Sequence, residues 1–121
     1  MPIKTVLVVD DSATDRYAIG EMLRKGGYRV ALAASAEEAL AKLPQIKPDL
    51  VLMDVVMPGQ NGFQATREIV RGNATKHIPV IICTSKRQDT DRIWGMRQGA
   101  RDYIVKPIVE ADLLARIHAL D

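Results

Sequence analysis

The sequence predicts an α/β domain in which five parallel strands, in the order 2-1-3-4-5, are covered by helices on both faces. Three observations lead there. Short aliphatic runs alternate with longer segments of helical periodicity along the whole chain. Several of the runs are apolar at consecutive rather than alternate positions, as strands buried on both faces require. Finally, the connections between runs and helical segments are short, which suits strand–helix–strand units with right-handed crossovers. In a five-stranded doubly wound sheet the favoured order is 2-1-3-4-5, and ligands bind at the carboxyl ends of strands 1 and 3, where the winding reverses.

Thr5–Val9 is the first predicted strand. The helix after it carries Ile19, Met22 and Leu23 at i, i+3, i+4; Ser12 with Asp15 resembles a capping box, and Gly26-Gly27 stops it. Arg29–Ala33 is the second strand. Ser35 caps the next helix, whose stripe is Ala36, Ala39, Leu40 and Leu43, and Pro44 is expected to end it. Leu50–Met53 is the third strand, and Pro58-Gly59 breaks the chain beyond it. Phe63, Thr66 and Val70 mark a third helix, which Gly62 either caps or precedes as a turn residue. Val80–Cys83 is the fourth strand. Over Arg87–Gln98 the sequence predicts a helix of low intrinsic stability: Ile93, Trp94 and Met96 make a poor stripe, and Gly95 inside it costs roughly 1 kcal/mol relative to alanine. Packing is the expectation for Trp94, although a partner-facing aromatic has the same signature. Tyr103–Val105 is the last strand, and Leu113, Leu114, Ile117 and Leu120 mark the last helix.

Size and composition set the frame for function. The chain has 121 residues, enough for one core and too few for two. Apolar residues make up 47% and charged residues 26%, and the net charge is +2 with no long run of one sign, so neither nucleic acid nor membrane is an expected partner. A single cysteine, Cys83, rules out an internal disulfide, and its place inside a strand gives it a packing role. His77 and His118 lack partners at metal-ligand spacing. The opening apolar run is too short for a signal peptide or a membrane span and ends on two acids, which points to a reducing cytoplasm.

The strand ends carry the chemistry. "TVLVVDD" ends on Asp10 and Asp11, "LVLMD" on Asp54, "VIICTS" on Thr84 and "YIVKP" on Lys106. Any one of these is ordinary: paired acids after a strand are common turn or cap residues. Together they place three carboxylates, a hydroxyl and an ammonium at one sheet edge. Three carboxylates in one crevice repel one another, and a cation relieves that. All-oxygen ligands suit Mg²⁺. A metal, an ammonium and a hydroxyl around one carboxylate suit a phosphoryl group in transfer, with Asp54 the candidate nucleophile.

"VVDDS" (8–12), "VLMDVVMPGQNG" (51–62), "VIICTS" (80–85) and "GARDYIVKP" (99–107), in this order and spacing, resemble the receiver domains of two-component response regulators, whose fold is the flavodoxin-like (βα)5 doubly wound sheet. More narrowly, "MPGQNGFQATR" and "TDRIWGMRQGARDYIVKP" are similar to the PilH-like receivers of twitching-motility chemotaxis systems. The resemblance implies that Asp54 accepts a phosphoryl group from a phosphohistidine on a sensor histidine kinase. It implies that Asp11 and Asp54 ligate Mg²⁺ directly, Asp10 through water, and that the backbone carbonyl of Val56 completes the protein ligands. Thr84 and Lys106 then contact the phosphoryl oxygens, the Lys106–Pro107 bond is cis, and Thr84 and Tyr103 form a switch pair. Their motion alters the partner preference of helix 4, strand 5 and helix 5. Such a chain catalyses only its own phosphorylation and dephosphorylation. Val109 departs from the Ser or Thr that caps the last helix in many relatives, and Glu110 and Asp112 can compensate through the helix dipole. Val56 and Lys86 stand where relatives often carry other polar or acidic groups. Val56 cannot orient an attacking water, so phosphate loss is expected not to be especially fast.

Met1 and an end directly after the last helix lead to the expectation of one complete receiver domain, 1–121, without an output domain, monomeric or weakly dimeric. Its output then comes from binding another protein, or it serves as a phosphate sink for its kinase. Other classes fit less well. Aspartate-dependent phosphohydrolases need Asp-x-Asp after the first strand, and here Ser12 follows Asp10-Asp11. A flavin-binding relative needs a hydroxyl- and glycine-rich phosphate loop, whereas "DDSATDR" opens on two acids. A receiver that binds partners without phosphorylation is disfavoured by the complete acid, threonine and lysine set.

Overall fold

The computed structural model describes residues 2–57, 59 and 61–121, so Met1 and Pro58, on which two sequence expectations rest, lie outside the described residues. Strands and helices alternate as expected: β1 (Thr5–Val9), α1 (Ala13–Lys25), β2 (Arg29–Ala33), α2 (Ala36–Ile46), β3 (Leu50–Met53), α3 (Gly62–Arg71), β4 (Val80–Thr84), α4 (Asp89–Arg97), β5 (Asp102–Val105) and α5 (Glu110–His118). The sheet order is β2-β1-β3-β4-β5 and every pairing is parallel. Successive strand residues point to opposite faces, and both faces are dry. Val6 and Val8 of β1 pack with Ile19 and Leu23 of α1 and with Leu113 and Ile117 of α5. Leu7 and Val9 face the other way, into Ala36, Ala39 and Leu43 of α2 and Ala65 and Ile69 of α3. Uninterrupted apolar runs in β1 and β3 are the consequence.

The caps hold α1 and α2 as expected. Ser12 Oγ accepts from the Asp15 N–H at 3.2 Å, and Ser35 Oγ accepts from the Glu38 N–H at 3.1 Å. The Glu38 carboxylate reaches back past the cap to accept from the Ala34 N–H at 2.8 Å. Pro44 does not end α2; it sits inside the last turn, and the helix runs on to Ile46. A proline there removes one intrahelical bond without forbidding helical φ. The stop is Lys47 in the left-handed region at φ 48°, whose N–H bonds to the Leu43 carbonyl at 2.9 Å. In α3 the buried face is Gly62, Ala65, Thr66 and Ile69, so Phe63 and Val70 lie at its edges rather than at its centre.

The sequence reading of α4 needs correction. Trp94 does not pack in the core; it is 50% exposed, beside Ile93 and Met96. The only buried residue of α4 is Gly95. A Cβ at Gly95 would stand 2.7 Å from Ile82 Cδ1 and 3.2 Å from Tyr103 Cδ2, so the glycine lets the helix backbone approach the sheet. With Gly95 inward, its neighbours are turned outward. Val109 starts α5 without a side-chain cap, and Glu110 and Asp112 occupy its first turn.

Cys83 is 2% exposed in the cluster of Val8 and Leu52, and burial pushes its thiol up to about 12. At pH 8 the buried thiol is protonated and unreactive. The folded chain is therefore expected to resist Ellman's reagent at pH 8 for hours, while chain unfolded in urea reacts at once. Prompt labelling of folded protein would contradict the packing role.

Candidate functional site

The winding direction reverses between β1 and β3, and the loops leaving them open a crevice. Asp10 and Asp11 follow β1; Asp54 follows β3, its N–H held by the Val9 carbonyl at 3.0 Å. One carboxylate oxygen from each of Asp10, Asp11 and Asp54 lies within 4.8 Å of the others. Asp10 and Asp54 are buried and Asp11 is exposed. Lys106, next after β5, reaches across the sheet edge. Its Nζ donates to Asp10 Oδ2 at 2.6 Å, Asp15 Oδ2 at 2.9 Å and Asp54 Oδ2 at 3.2 Å. Its bond to Pro107 is cis.

The electrostatics follow from burial and pairing. Burial pushes the Asp10 carboxyl above the ordinary carboxylate range, against the Lys106 hydrogen bond and the Ser12 N–H at 2.9 Å, and the nearby Asp54 charge adds to the rise. Burial alone would depress the Lys106 ammonium, but the hydrogen bonds to Asp10 and Asp15 and the charge of Asp54 more than offset it, leaving it above a lysine's usual value. The ammonium thus stays charged and takes the place of a cation among the acids. The other Asp54 oxygen, Oδ1, accepts from the Val56 N–H at 3.0 Å.

Thr84 closes β4, fully buried, and its Oγ1 accepts from the Lys86 N–H at 3.4 Å; no hydrogen bond among the described residues ties it to the acids. Tyr103 is buried too, with its hydroxyl donating to the Lys86 carbonyl at 2.8 Å. The segment 84–86 therefore carries both expected switch residues on adjoining groups. Above Asp54 an open cavity of about 400 Å³ is lined by Asp11, Val55, Val56, Met57, Asn61, Phe63 and Lys86. His77 is exposed, and His118 lies 3.6 Å from Asp121; neither belongs to the acid cluster.

Sequence reasoning missed three supports. Asp15 reads as the far half of a capping box, yet its carboxylate is taken by Lys106, and the Ser12 N–H goes to Asp10 instead. Arg16 Nη1 donates to the Asp10 carbonyl at 2.7 Å, bracing the loop. Gly62, the first residue of α3 after its Asn61 cap, passes directly over the Asp54 backbone: a Cβ there would meet the Asp54 carbonyl and stand 2.8 Å from Val55 Cα. The acidic first turn of α1 was a usable signal for Asp15. Nothing local marks Gly62 as a contact.

The donor set fits a hard divalent ion. An octahedral Mg²⁺ keeps its oxygen ligands no more than about 4.2 Å apart, and one oxygen from each of the three carboxylates lies within 4.8 Å of the others. Two of the acids are buried together, which a cation stabilises.

A sheet wound in this order, with its acids gathered at the reversal point, defines a class of protein, the receiver domains of response regulators. The chain belongs to that family, whose response regulator receiver domain matches residues 6–118. Among individual proteins it is similar to protein PilH of Pseudomonas aeruginosa, at 52% identity over 95% of each chain. It is also 38% identical to the phosphate regulon transcriptional regulatory protein PhoB of the same organism, over 97% of this chain and only 51% of PhoB. Among solved structures, the chemotaxis protein CheY4 of Vibrio cholerae matches with a TM-score of 0.91 at 30% identity, over 98% of this chain and 99% of CheY4. Among the described residues no helix is long and apolar enough to cross a membrane.

Proposed function

We propose that the chain is a phosphorylation-operated signalling switch: Asp54 takes a phosphoryl group from a phosphohistidine of a sensor histidine kinase of the chemotaxis type. The observation that carries this is the convergence of Lys106 Nζ on Asp54 and Asp10 beside an exposed third acid, Asp11. An Asp54 oxygen forms the new bond to phosphorus as the bond from phosphorus to the imidazole nitrogen breaks. The electron pair returns to the imidazole, which takes a proton from solvent. Lys106 binds the phosphoryl oxygens, having left Asp10 for them, and the Thr84 hydroxyl donates to another. The Val56 N–H on Oδ1 fixes the carboxylate so that its other oxygen faces the incoming group. Asp11 and Asp54 would hold Mg²⁺ directly, Asp10 through water, with the Val56 carbonyl as a further ligand. The ion would supply positive charge to the phosphoryl oxygens.

Phosphorylation then reaches a partner through Thr84 and Tyr103. If Thr84 turns to the phosphoryl group, segment 84–86 shifts, and with it the carbonyl that holds the Tyr103 hydroxyl. The surface of α4, β5 and α5 changes accordingly, because the phosphoryl group contacts the two states differently. The similarity to PilH supports a place in twitching-motility signalling.

The test is incubation with Mg²⁺ and acetyl phosphate. The expected result is a phosphoryl mass gain that requires Mg²⁺ and is absent from Asp54→Asn. A folded chain that gains no mass overturns the reading. Val56 lines the mouth with a side chain that cannot orient water. Val56→Asn is expected to shorten the lifetime of the phosphorylated chain several-fold, and an unchanged decay of the label would remove that role.

A further inference from the structure

We propose that the groove between α3 and α4 docks an acidic protein segment bearing one large apolar anchor side chain. The groove shares α4 with the switch face, but its other wall is α3 rather than β5 or α5. Asn61, Phe63, Gln64, Arg67, Trp94 and Gln98 line a cavity of about 210 Å³, room for a leucine- or phenylalanine-sized group. Trp94 is the chain's single tryptophan and half of it faces solvent, as do Ile93 and Met96 on the same helix. The core does not need these side chains, since Gly95 alone makes the buried contact of α4. Tryptophan, methionine and arginine together are the residues that dominate binding surfaces.

Charge selects the occupant. Residues 62–101 carry eight Lys and Arg against three Asp and Glu, whereas the rest of the chain carries nine against twelve. Among the described residues Arg67, Arg71 and Arg97 enter no ion pair. Arg67 lines the groove and Arg71 and Arg97 stand on the same two helices, so the charge there favours an acidic chain over a second copy of this basic segment. The concave cavity with its three carboxamides suits a peptide backbone better than a flat lipid surface. Asn61 and Phe63 also line the mouth above Asp54, so a segment lying in the groove extends to the edge of the acid site.

The probe is an acetylated, amidated peptide, Glu-Asp-Glu-Leu-Phe-Glu-Asp-Glu, titrated into the full chain while Trp94 fluorescence is followed. A saturable blue shift is expected, weakening as salt is raised. Arg67→Glu is expected to weaken binding about fivefold. Trp94→Ala, read by anisotropy of labelled peptide, is expected to weaken it about tenfold or more. Both residues are exposed, and circular dichroism with a urea midpoint shows whether each variant is folded. Phosphoryl uptake at Asp54 stays unchanged in both. The proposal is overturned by no saturable shift, by equal binding of the same peptide with lysines for its acids or alanines for Leu-Phe, or by wild-type affinity in both folded variants. It is overturned equally if Trp94 responds to phosphatidylserine vesicles or to protein concentration but not to the peptide.

Discussion

Lys106→Ala is expected to bind Mg²⁺ more tightly than the native chain and yet to take up a phosphoryl group about a hundredfold more slowly. Both effects come from one side chain. Nζ contacts Asp10, Asp15 and Asp54 within 3.2 Å, so it competes with any ion for the same carboxylates. Removing it frees them. In the proposed transfer the same ammonium faces charge on the phosphoryl oxygens, and losing one such prearranged group slows a reaction about 10²–10³-fold. Isothermal titration with Mg²⁺ and the rate of mass gain from acetyl phosphate read the two effects separately. A native transfer rate would remove Lys106 from the chemistry, and unchanged Mg²⁺ affinity would deny the competition.

The same substitution exposes a pH dependence. Without Mg²⁺, the loss leaves two buried acids without their cation, a destabilisation of about 3 kcal/mol at pH 8. Asp10 is already pushed up by burial, and losing the ammonium raises it further. A carboxyl with a folded pKa above its unfolded value binds the proton more tightly when folded. Stability therefore rises as pH falls through the raised folded value towards 3.8. The variant has the wider window, so its urea midpoint is expected to approach that of the native chain as pH is lowered towards 3.8. A gap that stays constant would mean that Asp10 does not sense Lys106.

Gly62→Ala is expected to destabilise the fold by about 3 kcal/mol or more and to depress phosphoryl uptake with it. The added methyl would run into the Asp54 carbonyl and the Val55 backbone, at 2.8 Å from Val55 Cα. Those atoms belong to the main chain and have no rotamer to escape into. Either α3 lifts from β3 or the Asp54 loop moves, and the Val56 N–H bond to Oδ1 goes with the loop. Urea denaturation reads the first effect. The second is a fall in the acetyl phosphate rate measured on protein still folded. A midpoint equal to that of the native chain would show that the two backbones are not in contact.

Much of this was legible beforehand. The strands were visible because a strand dry on both faces must be apolar at consecutive positions, and Val6–Val9 of β1 and all of β3 are so. The acids were visible because a winding rule assigns ligands to the ends of β1 and β3, and acids stand there. Pro44 misled because a proline near a helix end is compatible with the last turn as well as with the stop.

The sequence by itself determined the order of elements, the dry sheet and the polar residues at its carboxyl edge, since each follows from spacing along the chain. Only the tertiary structure decided that the Asp15 carboxylate serves Lys106, that Gly62 lies against the Asp54 and Val55 backbone and Gly95 against the Ile82 and Tyr103 side chains, and that Trp94 faces solvent. These depend on distances between elements far apart in sequence, and a local pattern carries no record of how closely two backbones approach.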